Sequence, residues 1–599
     1  MDEYTAPALV EPGASGNLTD AVVENAREAP DHVLFSRRDA DNHWQDVTAR
    51  QFLTEVEALA KGLVASGIQA GDRVALMSRT RYEWTLSDYA IWFAGAVTVP
   101  IYETSSAEQV RWILEDSEAA AVIVETPQHE GTVTEVRDSL PALTAVWSID
   151  QDGTIPLDTL ATVGEKVTDV EVEARRAGVK PQDVATLIYT SGTTGRPKGC
   201  ELTHGNFTDL TANATEILRS VVGATEASTL LFLPLAHVFA RFIQVLCMAS
   251  RTRMGHTADV KNLLGDLAEF QPTFILAVPR VFEKVYNSSV QRAEADGKGK
   301  IFHNAVDVAI SYSEAQDQGS PGFGLRAKHA MFDKLVYGKL RHALGGKVTY
   351  AVSGGAPLGT RLGHFFRGIG VTVLEGYGLT ETTAPTSVNT PEKIKIGTVG
   401  RPLPGVGVRI GPDGEVLVKG VNVLKGYFNN PDATAEAITD GWFHTGDLGE
   451  LDADGFLRIT GRKKELIVTA GGKNVAPAVL EDRLRAHRLV SQCMVVGDGQ
   501  PYIACLVTLD EEALPAWLQQ QGKPEMSVAE AAEDDDVRTE VQRAVDDANK
   551  AVSKAEAIKR FKILTIDFTE ENGALTPSLK LKRNVVMKEY AGDVDALYS

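Results

Sequence analysis

Short apolar runs alternate with helical stretches along the first two thirds of the chain. The runs are Arg73–Met77 (RVALM), Ala120–Val124 (AAVIV), Thr186–Thr190 (TLIYT), Thr229–Leu235 (TLLFLPL), Phe274–Val278 (FILAV), Val348–Ser353 (VTYAVS) and Val371–Tyr377 (VTVLEGY). Many carry β-branched residues and end at Gly, Ser or Pro, the pattern of strands buried on both faces. Between them the period changes. At Thr48 to Ser66, Phe52, Val56, Leu59 and Leu63 fall at helical steps, Thr48 and Gln51 have capping-box spacing, and Gly67 stops the helix. The alternation predicts an α/β fold of mostly parallel sheets covered by helices. Ligands of such sheets bind beyond the carboxyl ends of the strands, and three Gly-rich stretches, IYTSGTTGRPKG, VSGGAPL and EGYGLTE, lie at or just after strand ends.

Two changes of pattern divide the rest. Residues 281–346 turn polar and helical, which reads as a helical insertion. After Thr386 short strands appear with Asp413-Gly414 and Asp454-Gly455 between apolar runs, hairpin signals of a small antiparallel β subdomain at about 387–461. The expected division is a large N-terminal domain, 1–461, and a smaller α+β C-terminal domain, 462–599. There EAAEDDDVRTE reads as a solvated helix start.

Composition narrows the classes of function. A chain of 599 residues exceeds one core. A net charge of −21 argues against nucleic-acid binding, which needs a cationic face. The longest apolar run, Ala90–Ile101, contains Gly95 and Pro100 and falls short of the ~20 residues that span a bilayer. The N-terminal stretch has no cationic n-region, so no secretory signal is expected. Cys200, Cys247, Cys493 and Cys505 form no CxxC pair and read as isolated buried thiols of a cytoplasmic protein.

The stretch Ile188–Gly199, IYTSGTTGRPKG, is the most informative. Glycines let backbone N–H groups approach an anion, hydroxyls add donors, and Lys198 adds a charge. It is not a P-loop, because Lys198 follows Pro197 and no Ser or Thr follows it. Alone, such a loop is more often a turn than a site. Its order and its companions change that. LPLAHVFAR (Leu233–Arg241), SGGAPL (Ser353–Leu358), EGYGLTE (Glu375–Glu381), WFHTGDLG (Trp442–Gly449), GRKKELIVTAGGKNVAP (Gly461–Pro477) and LTPSLKLKR (Leu575–Arg583) follow. Together they resemble the motif series of the adenylate-forming superfamily of acyl-CoA synthetases, luciferases and peptide-synthetase adenylation domains, over about Leu187 to Arg583.

The resemblance implies a two-step ligase: a carboxylate attacks the α-phosphate of ATP, releasing pyrophosphate, and coenzyme A then displaces AMP. It implies that Thr190, Ser191, Gly192, Thr193, Thr194, Gly195 and Lys198 hold the outer phosphates. Gly354, Gly355 and Ala356 would line the adenine slot, Tyr377 and Gly378 border the base, and Thr380 meet the α-phosphate. Glu381 would carry Mg²⁺, Asp447 accept from the ribose hydroxyls, and Arg462 help hold the ribose or a phosphate. Lys580 is the implied catalytic lysine, Lys464 the hinge between half-reactions, and Gly471 with Lys473 the border of the CoA passage. His237 would position the acid. Lys464 and Leu579 depart from the family's commonest residues, Asp and Gly.

LPLAHVFAR and the helical insertion resemble long-chain fatty acyl-CoA synthetases. An aromatic gate found in some members four residues after this His is replaced by Arg241, read here as lying along the tunnel mouth. Phe242–Met248 are expected in the tunnel lining. Other readings are a fatty acyl-AMP ligase serving a carrier-protein thiol, disfavoured because no extra segment lies between Glu381 and Gly461, a P-loop-type NTPase, disfavoured by the missing GK[ST], and a catalytically dead lipid-binding module, disfavoured by the presence of Lys580 and Glu381. Lys554–Ile563 (KAEAIKRFKI) reads first as a solvated helix face and second as a peripheral contact with the inner face of the membrane.

Overall fold

All seven apolar runs form strands in the computed structural model, which describes residues 1–190, 196–576 and 580–599. The helix at Ala49–Ala65 forms as its spacing predicts: Thr48 Oγ1 accepts from the Gln51 N–H at 3.3 Å and Gln51 Oε1 accepts from the Thr48 N–H at 2.8 Å. Its apolar face, with Phe52, Val56 and Leu63 fully buried, packs against the helix Tyr82–Phe93.

Among the described residues four sheets build the N-terminal part, three of them parallel or mixed. The seven-stranded sheet runs Gly426–Tyr427, Lys198–Thr203, Val184–Thr190, Val97–Ile101, Arg73–Met77, Ala121–Val124, Ala145–Ser148. It is parallel from Val184–Thr190 onward, but Lys198–Thr203 returns antiparallel, pairing Thr190 with Lys198. In the five-stranded sheet Phe274–Ala277, Tyr350–Ser353 and Thr372–Leu379 are parallel, and Ala384–Val388 then folds back antiparallel. A four-stranded sheet joins Ser228–Leu231 and Arg253–His256 to the early strands Val33–Arg38 and Trp44–Thr48. The long apolar run splits at Gly95 into the end of the helix Tyr82–Phe93 and the strand Val97–Ile101.

The expected hairpins form at Gly414 and Gly455, whose φ values of +83° and +81° are left-handed. They belong to a six-stranded antiparallel sheet whose edge is the N-terminal strand Glu3–Thr5, paired with Val406–Ile410. Beyond residue 461 a three-stranded sheet, Val490–Val496, Ile503–Leu509 and Ile558–Leu564, carries the helices Pro477–Arg485 and Asp535–Asn549. The buried apolar clusters of this part draw only on residues from Ile467 onward, and the other three clusters end at Leu457. The acidic stretch caps a helix as expected, Asp534 accepting from the Asp536 and Val537 N–H groups.

One element differs from expectation. Lys554–Ile563 is not a helix face: Ile558–Leu564 is a strand, and Phe561 points into the C-terminal core with 6% exposure. Ile558, Phe561 and Ile563 bury against the neighbouring strand across an irregularity in register, so tertiary pairing overrides the local charge pattern. All four cysteines are buried and free. Among the described residues no helix is long and apolar enough to cross a membrane.

Candidate active site

A cavity of about 760 Å³ opens where the carboxyl ends of the seven- and five-stranded sheets face each other. Its walls include Thr190 and Lys198 from the first sheet, Gly354 and Gly355 after Tyr350–Ser353, and Tyr377, Gly378, Thr380 and Glu381 at the end of Thr372–Leu379. Arg462 and Lys464 line it, as do Thr576 and Lys580 from the C-terminal part. Residues Ser191, Gly192, Thr193, Thr194 and Gly195 lie outside the described residues. Ala356 is exposed and does not line the cavity.

Local geometry explains how each group is aimed. A 3₁₀ turn, Thr380–Thr382, follows the strand, with Thr382 Oγ1 accepting from the Leu379 N–H at 2.9 Å. Thr383 and Ala384 take left-handed φ values of 53° and 77°, the kind of strain that clusters at functional sites. The turn faces Thr380 and Glu381 into the cavity. Gly378 is required by the return strand: a Cβ there would lie 1.5 Å from the Ala384 carbonyl oxygen. Glu381 Oε1 accepts from the Tyr427 hydroxyl at 3.1 Å, and the Lys198 ammonium sits 5.1 Å from the Tyr427 ring centre.

Tyr377 donates its hydroxyl to Asp447 Oδ2 at 2.7 Å, and Arg462 Nε donates to Asp447 Oδ1 at 2.7 Å. Asp447 and Arg462 are cross-strand partners, so the sheet register sets this pair. Lys580 is held where Leu575 and Leu581 pair across the chain. The Thr576 N–H donates to the Lys580 carbonyl at 2.8 Å, and the Lys580 N–H to Thr576 Oγ1 at 3.0 Å. Burial first and then the Arg462 charge hold the Lys580 ammonium below its usual pKa, opposed by Asp447, Glu381 and Glu465. The ammonium thus sits among the groups the resemblance links to it.

His237 lines the cavity and caps the helix Val238–Ser250, its Nδ1 accepting from the Phe239 N–H at 3.2 Å. Burial, then the charge of Lys580, push its pKa down to about 3. It is therefore a neutral ring with Nε2–H as its one donor. Beyond it the walls become apolar: Ala214, Leu218, Phe242, Ile243, Val388 and Leu403. Of the expected Phe242–Met248 lining, only Phe242 and Ile243 reach this cavity.

Arg241 is a correction. It does not lie along the tunnel mouth but is fully buried on the opposite side of its helix. Its Nε donates to Asp88 Oδ2 at 3.0 Å, Nη2 bonds Asp88 Oδ1, and Nη1 bonds Thr186 Oγ1. Trp84 and Trp92 flank it, and Gln244 also donates to Asp88. An apolar side chain, not an arginine, is what a fatty tail requires, and the carboxylate on the neighbouring helix supplies the partner that a buried guanidinium must have.

Gly471 and Lys473 are exposed in the turn between Ile467–Val468 and Asn474–Val475 and do not line the cavity, and Lys473 pairs with Glu556 at 3.4 Å. The C-terminal part is held in this position by ion pairs to the helix Pro279–Ala295: Arg280–Asp510 at 3.1 Å, Lys284–Glu512 at 2.7 Å and Glu294–Arg488 at 2.7 Å. Residues that motif reasoning missed include Tyr427, Glu415, His444 and Lys463. Glu415 accepts from the Gly446 N–H at 2.9 Å and from Lys463 at 3.3 Å. His444 and Lys463 stood inside the motif stretches WFHTGDLG and GRKKELIVTAGGKNVAP, whereas Glu415 and Tyr427 lie outside every motif, Glu415 beside the turn signal Asp413-Gly414.

Behind the glycines, Glu375 is 9% exposed, and its Oε1 accepts from the Leu358 N–H at 2.9 Å. Burial pushes this carboxyl up to about 7 against the opposing hydrogen bond. The folded state keeps this proton to higher pH than the unfolded chain, so stability is full below the usual carboxyl pKa and falls as pH rises through about 7. Glu375→Gln is expected to flatten the decline of the unfolding midpoint between pH 5 and 8; identical profiles for the two proteins would contradict this.

Comparison with known proteins gives the same grouping. A family profile described as AMP-binding enzyme matches residues 22–428, and one described as AMP-binding enzyme C-terminal domain matches 464–599. The long-chain-fatty-acid–CoA ligase FadD15 of Mycobacterium bovis is 53% identical over 600 residues, covering 100% of each chain. The long-chain-fatty-acid–CoA ligase ACSBG1 of Homo sapiens is 31% identical over 604 residues, 94% of this chain and 82% of that protein. Among solved structures, the adenylation domain of carboxylic acid reductase from Segniliparus rugosus superposes with a TM-score of 0.75 at 20% identity, covering 97% of this chain and 94% of that one. The anthranilate CoA ligase AuaEII, in complex with anthranoyl-AMP, superposes at 0.73 and 18% identity, over 96% and 98%. With its motifs converging on one cavity, this chain belongs to the AMP-binding enzyme family.

Proposed function

We propose that the protein is an AMP-forming long-chain fatty acid–CoA ligase. It converts a fatty acid and ATP to acyl-AMP and pyrophosphate, then passes the acyl group to coenzyme A with release of AMP. The observation that carries this reading is that Lys580 enters the cavity holding His237, Tyr377, Thr380 and Glu381, while the same cavity continues between apolar walls. Its relatives named long-chain-fatty-acid–CoA ligases span its full length.

Each residue's part follows from its chemistry. A carboxylic acid is ionised at neutral pH and needs no general base, so the neutral His237 donates its Nε2–H and orients the carboxylate. Lys580 faces carboxylate and α-phosphate together and stabilises the charge that moves onto phosphorus. Thr380 donates to the α-phosphate. Tyr377 lies against the adenine, with Gly354 and Gly355 leaving room for the base. Asp447 has two oxygens with free lone pairs beyond those used by Tyr377 and Arg462, and these accept from ribose hydroxyls. Lys198 offsets the outer phosphates.

Among the described residues no cluster of three or more His, Cys, Asp or Glu could cage a metal. That suits Mg²⁺, which binds through one or two carboxylates and the substrate's phosphates. Glu381, which lines the cavity, is the carboxylate that would hold it, and the ion would supply neutralisation of phosphate charge. The present placement of Lys580 belongs to adenylation. For thioester formation the C-terminal domain turns about Lys464, bringing Gly471 and Lys473 to the CoA passage.

Purified protein with palmitate, ATP, Mg²⁺ and CoA is expected to yield AMP, pyrophosphate and acyl-CoA, with AMP release tested over acids of increasing chain length. ADP and phosphate instead would overturn the reading. Thioester formed only on a carrier-protein thiol would replace it with the acyl-AMP ligase.

A further inference from the structure

The last part of the helical insertion is basic in an acidic chain. Residues 322–347 contain six lysines and arginines and one acidic residue, Asp333, in a chain of net charge −21. Asp333 is already paired with Arg341 at 2.6 Å. Lys328, Lys334 and Lys339 are exposed, and no ion pair engages them among the described residues.

The same short segment carries apolar side chains that the fold leaves uncovered. Phe323 is 88% exposed, Leu335 53% and Met331 49%. They are not the fraying end of a loose segment. The helix Phe323–Phe332 runs into a π turn, Asp333–Tyr337. A π turn brings residues five apart onto one side, so Phe332 and Tyr337 both face inward, where they are buried. Tyr337 donates its hydroxyl to the Ala305 carbonyl at 2.6 Å, and His329 bonds the Gly368 carbonyl at 2.6 Å while stacking on Tyr312 at 3.9 Å. With the inner face anchored, Lys334 and Leu335 are turned outward between Met331 and Lys339.

We propose that this face docks the protein on an anionic phospholipid surface, Phe323, Met331 and Leu335 entering the headgroup layer and Lys328, Lys334 and Lys339 contacting lipid phosphates. Amphipathic helices with interleaved aromatic, aliphatic and basic residues lie in the interface plane in this way. Charge complementarity selects the partner: the chain as a whole is repelled by an anionic membrane, so approach must be local and oriented. The stretch Lys554–Ile563 does not compete for this role, since Phe561 is buried and Lys562 is paired with Asp593. The purpose rests on the proposed function, because a long-chain acid resides largely in membranes.

The test is co-sedimentation of the full chain with vesicles of phosphatidylcholine alone or with 30% phosphatidylglycerol. The wild type is expected to bind the anionic vesicles and release them in high salt. Each of Lys328→Gln, Lys334→Gln and Lys339→Gln should weaken partitioning about fivefold, the equivalent of ~1 kcal/mol per surface lysine, and the triple variant on the order of 100-fold. Phe323→Ser, at a fully exposed position, guards against loss through misfolding and should also weaken binding. AMP release with a short, water-soluble acid should be unchanged in all, which separates failure of docking from failure of the ligase reading. Equal vesicle binding by wild type and triple variant, or no binding by the wild type, would overturn the proposal. So would lysine-dependent self-association or capture of an acidic protein without vesicle binding.

Discussion

Lys580→Ala is expected to slow acyl-adenylate formation by roughly 10²–10³-fold, the usual cost of deleting one preorganised donor at the reacting charge. The loss should be confined to one half-reaction. In the described arrangement Lys580 stands in the cavity with Arg462 and Glu381, whose charges act on it together with that of Asp447. If the C-terminal domain turns about Lys464, the lysine leaves before CoA enters, and thioester formation from preformed acyl-AMP should proceed at nearly wild-type rate. Pyrophosphate release measures the first step and acyl-CoA formation from synthetic acyl-AMP the second. Equal loss in both would remove Lys580 from its proposed role. Retained substrate binding with lost turnover would show that the defect lies in the transition state.

Arg241→Ala is expected to destabilise the N-terminal part by about 3–5 kcal/mol, the range for removing one partner of a buried ion pair. Arg241 and Asp88 are both fully buried, and without the guanidinium the carboxylate would be left with neutral donors such as Gln244. Burial already pushes Asp88 upward, with Arg241 as the opposing influence. Without that cation Asp88 would take up a proton to remain buried, so the variant's deficit should grow as pH rises. A double variant, Arg241→Met with Asp88→Leu, should recover most of the loss, because two apolar groups remove the stranded charge. The helix that carries Arg241 begins at His237, so the single variant should also raise the KM for the acid. Urea unfolding followed between pH 6 and 8 checks the first claim. A midpoint within error of wild type at both ends would refute the pair's structural importance.

Much was legible before any coordinates. The apolar runs reported strands because burial on both faces demands continuous hydrophobicity, a local requirement. The Thr48–Gln51 box and the Asp-Gly hairpins were legible for the same reason: their chemistry closes within a few residues. The motif loops identified the adenylate-forming series because phosphate, base and ribose each call for particular residue types at strand ends.

Arg241 shows the limit of that reading. Its partner Asp88 lies 153 positions away, and nothing beside Arg241 in the sequence distinguishes a tunnel residue from a core ion pair. Lys554–Ile563 shows it again, since the strand is settled by pairing with Ile503–Leu509 and not by its own charges. The apolar end of the cavity is built from Ala214, Leu218, Val388 and Leu403, none of which belongs to a motif. By itself, then, the sequence determined the strands, their turns and the chemical kinds of group the loops would carry, because those depend on neighbours along the chain. Only the tertiary structure decided which loops meet, that Lys580 reaches the cavity of Glu381 and Tyr377, and which cations face solvent instead of a carboxylate, because each of these depends on partners brought together by packing across distant parts of the chain.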